Sequence, residues 1–227
     1  MNENVDSNEL EPLRLSKISI EQGKILVRRI EKCLKENPKA DLFVLLDFGA
    51  APLEIIMREF TPDLNLDIQH IRLDRDSVRK MGSFSVKELQ EKLGKSNTQY
   101  LQAITSGKEH IVVIDDIEYE GKTLNLAELV IKSVNSKCEI VKFPIIKSSQ
   151  YVLPGSDAWP FALFDDVGMV SGYRMPWEVD QNKFVGRIVD RGSNMRTIPV
   201  ENPDYLAISL RSDLQSVSKY FKNGGLS

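Results

Sequence analysis

The chain alternates between segments whose apolar residues recur at helical spacing and short runs that are apolar throughout. Ser19 and Gln22 form the first start signal, a capping box in which the hydroxyl accepts an orphan backbone N–H and the amide reaches back to the cap. Leu26, Ile30, Cys33 and Leu34 then share one face. Asn37-Pro38 stops the helix, because the residue before a proline is pushed out of the helical region. Residues 42–46 (LFVLL) run without alternation, as a strand covered on both faces requires. A loop of small residues follows at 47–51, and Pro52 suits the first turn of a helix reaching Phe60. Residues 68–73 read as a second strand, and Ser85 with Glu88 as the cap of a short helix around Leu89 and Leu93. A third strand, 111–114 (IVVI), is ended by Asp115 and Asp116. A helix carrying Leu124, Leu126, Ala127, Leu129, Val130 and Ile131 then leads to a fourth strand at 140–146.

Strands alternating with helices predict an α/β domain with a parallel sheet. Such sheets bind ligands outside the carboxyl ends of their strands, where the loops at 47–51 and 115–123 would both lie. After Ser148 the texture changes: Pro154, Pro160 and Pro176 break short apolar pieces, which suggests irregular or antiparallel structure capping the sheet. The expected organisation is a leader at 1–14, one domain at 15–190 with its cap at about 148–190, and a polar extension at 191–227 with one candidate helix, 212–221.

Composition narrows the class. With 227 residues, 41% hydrophobic and 28% charged, the chain can bury one sizeable core. Its net charge of −3 and the lack of a long Lys/Arg run argue against nucleic acid as a partner. Two cysteines, Cys33 and Cys138, give no disulfide framework and suit a reducing compartment. The first residues are polar and acidic, unlike a signal peptide. The most apolar stretch, 42–57, is interrupted by Asp47 and Pro52 and is too short to span a bilayer. A cytoplasmic, membrane-independent protein is the expectation.

The stretch that carries chemistry is 111–123, IVVIDDIEYEGKT. Two carboxylates sit at the mouth of a buried strand, and a Gly-Lys-Thr turn opens a helix. A helix N-terminus presents unpaired N–H groups and partial positive charge to a phosphate. Gly121 permits close backbone approach, and Thr123 adds a hydroxyl donor. Adjacent carboxylates suit the two hydroxyls of a vicinal diol. Phosphate at the helix and diol at the strand end together describe a ribose 5-phosphate. An ordinary strand–loop–helix with incidental acids remains the alternative. A Walker A loop is excluded, because the position five residues before Gly-Lys-Thr, where it needs glycine, holds Asp116.

This stretch resembles the signature of the type I phosphoribosyltransferases, most nearly that of the 6-oxopurine (hypoxanthine-guanine and xanthine-guanine) enzymes, whose loop also ends Gly-Lys-Thr. The likeness extends from about Ile18 to Val189. It takes in 104–108 (ITSGK) before the strand, 68–73 (IQHIRL), 143–147 (FPIIK) and 171–178 (SGYRMPWE). The resemblance implies a phosphoribosyltransferase-like parallel sheet flanked by helices, with a C-terminal hood. It also implies a transferase of purine salvage, in which a base nitrogen displaces pyrophosphate from phosphoribosyl pyrophosphate (PRPP) with Mg²⁺. By the same resemblance, Asp115 and Asp116 would hold the ribose hydroxyls and, through water, the metal. Glu120, Gly121, Lys122 and Thr123 would hold the 5-phosphate. Asp47, Phe48, Gly49 and Ala50 would face the pyrophosphate, and Lys147, Tyr173 and Trp177 would meet the nucleobase.

Three positions depart from that pattern. Glu120 stands where the family usually has Thr or Ser, and a carboxylate about 4 Å from a phosphate costs about 4 kcal/mol at an effective dielectric of about 20 unless it points outward. Tyr119 stands where the hypoxanthine-guanine enzymes place an Asp; a phenol of pKa about 10 donates a hydrogen bond but is a poor base at neutral pH. The loop at Asp47-Phe48-Gly49 lacks the customary cation. A second expectation is therefore a non-catalytic sensor or interaction protein that binds a nucleotide or PRPP, with room for a homodimer or a partner protein that supplies a cation. Arg72, Arg75 and Arg79 are candidates for pyrophosphate contact or a solvated loop. Asp165 and Asp166 read as a strand end. His70 and His110 have no partner at metal-ligand spacing and read as structural.

Overall fold

Helix α1 (Ile20–Glu36) begins at the cap that the sequence announces. Ser19 Oγ accepts the Gln22 N–H at 3.1 Å, and Gln22 Oε1 accepts the Ser19 N–H at 2.8 Å. In the computed structural model, the residues described are 15, 18–47, 49–73, 86–118, 121–147, 187–190, 193–203 and 205–223. After α1 they form, in chain order, β1 (Leu42–Asp47), α2 (Leu53–Phe60), β2 (Ile68–Arg72), α3 (Val86–Thr105), β3 (His110–Glu118), α4 (Lys122–Val134), β4 (Glu139–Lys147), β5 (Arg187–Asp190), β6 (Ser193–Pro199) and α5 (Tyr205–Lys222). The strands lie in one sheet, ordered β4-β3-β1-β2-β6-β5. Strands β1 to β4 are parallel, and β6 and β5 extend the sheet antiparallel.

The unbroken apolar run of β1 is explained by burial on both faces. Phe43 and Leu45 pack with α1, α2 and α5. Leu42, Val44 and Leu46, one step out of phase, pack with α3 and α4. The result is a mostly parallel α/β sandwich of the predicted class. At the open edge β4 carries Pro144, which lacks a ladder donor and is tolerated there. The Arg29 guanidinium covers this edge, donating to the carbonyls of Pro144 (2.8 Å) and Ile145 (2.9 Å) while lying over the Phe143 ring. Cys33 and Cys138 are buried thiols, and burial pushes Cys33 up to about 12.

Three sequence expectations are corrected. The short helix around Leu89 and Leu93 is a 20-residue element, α3, broken in the middle where Gly94 takes φ +70° and the chain resumes with Leu101 fully buried. Strand β3 does not end at Ile114 but continues through both aspartates to Glu118, because β4 extends alongside and pairs Ile117 with Ile146 and Glu118 with Lys147. The C-terminal region is no appendage. β6 pairs with β2, and α5 buries Leu210, Leu214, Val217 and Phe221 in the core against α1 and α2. Val217 comes so close to Gly23 of α1 that an added Cβ would stand 2.7 Å from its methyls. Asp213 also accepts the Ile18 N–H at 3.3 Å. The leader at 1–14 and the cap up to residue 186 lie outside the described residues.

Candidate functional site

Strand order fixes where a ligand fits. From β1 the chain crosses to β2 on one side, and from β3 it crosses to β4 on the other. The connections leaving the C-terminal ends of β1 and β3 therefore part and open a crevice between them, the switch point at which open parallel sheets bind ligands. In the β1–β3 register Leu45 faces Ile114, so Asp115 and Asp116 stand level with Leu46 and Asp47, the last residues of β1, where the β1–α2 turn departs.

Asp115 and Asp116 are each 7% exposed. As consecutive strand residues they leave opposite faces of the sheet. Asp116 goes to the α2 side, where it meets Gly49 so closely that a Cβ on the glycine would overlap its carboxylate. Asp115 goes to the α4 side, and its Oδ1 accepts the Asp116 N–H at 3.0 Å. The two loops that the sequence singled out thus meet at one point, with Gly49 there because only a residue without a side chain fits.

Beyond β3, Gly121 adopts φ +68° and ψ 3°, the left-handed conformation that favours glycine. It caps α4 without any side-chain hydrogen bond, so Lys122 and Thr123 open the helix. The first N–H groups of α4 thereby point out of the same edge of the sheet as the aspartates. Lys147 ends β4 beside Glu118 at this edge too. Ala50 closes the β1–α2 turn, its N–H donating to the Leu46 carbonyl at 2.9 Å. Phe48, Tyr119, Glu120, Tyr173, Trp177 and the Lys147 side chain lie outside the described residues, as do Arg75, Arg79, Asp165 and Asp166.

Asp47 behaves differently from expectation. It is the last residue of β1, and its carboxylate is fully buried. Oδ1 meets His70 Nδ1 at 2.8 Å; Oδ2 accepts from the Thr197 hydroxyl and lies 3.3 Å from Arg187 Nε. His70 Nε2 in turn meets Glu54 Oε2 at 2.8 Å, and Arg58 holds the other Glu54 oxygen at 2.7 Å. Burial opposes charge on His70, but hydrogen bonds to Asp47 and Glu54 outweigh it and hold its pKa above the ordinary value. Burial likewise opposes charge on Glu54, yet bonds from His70 and Arg58 bring it down to about 2. The cation that the turn lacks in sequence is thus brought beside it from the far end of the chain. Sequence reasoning missed this cluster, because Asp47, Glu54, His70, Arg187 and Thr197 belong to five different elements and share no spacing.

Among the described residues no group of three or more His, Cys, Asp or Glu side chains forms a metal cage. The aspartate pair fits a different metal chemistry, that of Mg²⁺ carried on a substrate's phosphates and touching protein carboxylates through its water shell.

No family model and no curated protein matches the chain. Solved structures do. It is similar to a xanthine-guanine-hypoxanthine phosphoribosyltransferase from Helicobacter pylori (13% identity over 58% of this chain and 76% of that one, TM-score 0.38). It is similar to a purine phosphoribosyltransferase from Pyrococcus horikoshii (15%, 60% and 80%, TM-score 0.35). It is similar also to a hypoxanthine-guanine phosphoribosyltransferase from Bacillus anthracis (9%, 85% and 99%, TM-score 0.38). At these scores the likeness carries no residue's role, and the chemistry rests on the geometry of the site.

Proposed function

We propose that the chain is a phosphoribosyltransferase-like protein that binds PRPP at the β1–β3 crevice and transfers its phosphoribose to a nucleobase, a 6-oxopurine first. The observation that carries this reading is the meeting of Gly49 with the Asp116 carboxylate at the switch point, one short turn before the N-terminus of α4. The α4 N–H groups and Thr123 would take the 5-phosphate. Asp115 and Asp116 would accept hydrogen bonds from the ribose hydroxyls and steady positive charge growing on the ribose as the bond from C1 to the diphosphate oxygen breaks and the bond from the base nitrogen forms. The β1–α2 turn would border the departing diphosphate. Mg²⁺ would neutralise diphosphate charge, with Asp115 and Asp116 as its contacts through water. Tyr119 would donate to the base, and Lys147, Tyr173 and Trp177 would border it. Among the described residues no helix is long and apolar enough to cross a membrane.

A second reading has its own support. The carboxylate of Asp47 takes up the Arg187 guanidinium, so this cation is engaged before any diphosphate arrives. A chain that binds PRPP or a nucleotide as a signal without turning it over would have that character. Calorimetry with PRPP and Mg²⁺, followed by a nucleobase panel scored for diphosphate release, separates the two. Release that disappears in Asp115→Asn/Asp116→Asn supports the transferase. Binding without release supports the sensor, and no binding of any ribose phosphate ends both.

A further inference from the structure

We infer that His70 and Thr197 are positioning residues for the candidate site: they hold Asp47, and through it the turn that sets Gly49 against the Asp116 carboxylate. The inference rests on the PRPP reading for its consequence, but its geometry stands alone. Asp47 is two residues before Gly49. Its side chain is 0% exposed and gripped from three other strands: by His70 of β2, by Arg187 of β5 and by Thr197 of β6. Further along, the Ala50 N–H closes the turn on Leu46. With both ends fixed, Gly49 has little freedom, and the carboxylate pressed against it inherits that restraint. A turn of this kind without such a grip would let Asp116 swing away from a sugar hydroxyl.

The grip is made of groups that suit one another. Both ring nitrogens of His70 face carboxylates, those of Asp47 and Glu54, and only the imidazolium donates from both. Arg187 adds a second positive charge, donating to the Thr197 hydroxyl at 3.1 Å and to the Thr197 carbonyl at 2.9 Å, so Thr197 is itself fixed. From α3 the Tyr100 hydroxyl donates to the His70 carbonyl at 2.8 Å, and from α2 Arg58 holds Glu54. These contacts bring the C-terminal hairpin to the site.

Amide stereochemistry offers a discriminating test. The amide nitrogen of asparagine sits where His Nδ1 does, and that of glutamine where Nε2 does. His70→Asn therefore keeps the bond to Asp47, and His70→Gln keeps the one to Glu54. Two readouts on the full chain are needed: hydrogen exchange of the Ala50 amide, which requires no ligand, and the dissociation constant for PRPP with Mg²⁺. His70→Gln and Thr197→Val are expected to speed Ala50 exchange and to weaken PRPP binding about ten-fold, with core amides such as Val44 unchanged. His70→Asn is expected to stay within about two-fold of the parent on both counts. Should His70→Gln fail to fold, Thr197→Val carries the test. Ala50 exchange indifferent to Thr197→Val and His70→Gln, or His70→Asn as damaging as His70→Gln, overturns the inference. If Ala50 follows His70 while the parent chain binds no PRPP, the grip stands and the PRPP reading falls.

Discussion

Gly49 is the residue on which the site turns. Adding one methyl there places a Cβ inside the Asp116 carboxylate, and that carboxylate, not a flexible chain end, must move. Gly49→Ala is expected to weaken PRPP binding at least about ten-fold while shifting the melting temperature by only a few degrees. Calorimetry beside a thermal melt checks this, and unaltered binding would separate Gly49 from the function of Asp116. His70 and Glu54 set a pH dependence of stability. The His70 pKa is raised from 6.5 in the folded chain, so its contribution is complete below pH 6.5 and fades as pH rises through the folded value. The Glu54 pKa falls from 4.5 to about 2, so its contribution is complete above pH 4.5 and fades as pH falls toward 2. Together they predict greatest support between those limits. Urea unfolding across pH 3 to 9 should show a plateau (about pH 4.5 to 6.5) whose alkaline limb flattens in His70→Asn. At this scale the sequence was only half legible. The aspartates and Gly121 announced themselves through their neighbours in the chain, whereas His70 looked solitary because both its partners arrive through folding.

Among the elements, those read correctly are the ones whose signal is local. The capping box of α1, the double-sided run of β1 and the apolar face of α4 need no knowledge of partners. What escaped depends on docking. The candidate helix at 212–221 was visible in α5, but nothing in the sequence says that Leu210, Leu214, Val217 and Phe221 close the core over α1 and α2. Strand β6, polar along much of its length, is a strand because β2 offers it an edge. The energetic consequence is testable. Leu214 is fully buried, and Leu214→Ala should cost about 2–5 kcal/mol through lost transfer energy and the cavity left behind. Ile208→Ala, on the exposed face of the same helix, should cost well under 1 kcal/mol. Equal costs in denaturant unfolding would mean that α5 does not rest on the core by that face.

For the whole molecule, the sheet order joins residues far apart in sequence into one edge: Asp47 and Gly49 from the β1 connection, Asp115 and Asp116 from β3, Gly121 from the turn into α4. The parallel alternation was legible, but the order β3-β1-β2, and with it the location of the crevice, was not, because periodicity says nothing of which strand is central. The site holds two neighbouring carboxylates, each 7% exposed, and Asp115 Oδ1 accepts the Asp116 N–H at 3.0 Å. Asparagine is nearly the same size as aspartate, so Asp115→Asn/Asp116→Asn should leave the unliganded chain folded, within about 3 kcal/mol of the parent. The same variant should lose what the ligand adds. PRPP with Mg²⁺ at about 100 times its dissociation constant stabilises a one-site protein by about 2.7 kcal/mol, and the variant should show none of that shift. Thermal melts with and without PRPP test both expectations at once. A variant that is less stable unliganded yet still stabilised by PRPP would make the aspartates structural, and the sugar would have to be held elsewhere.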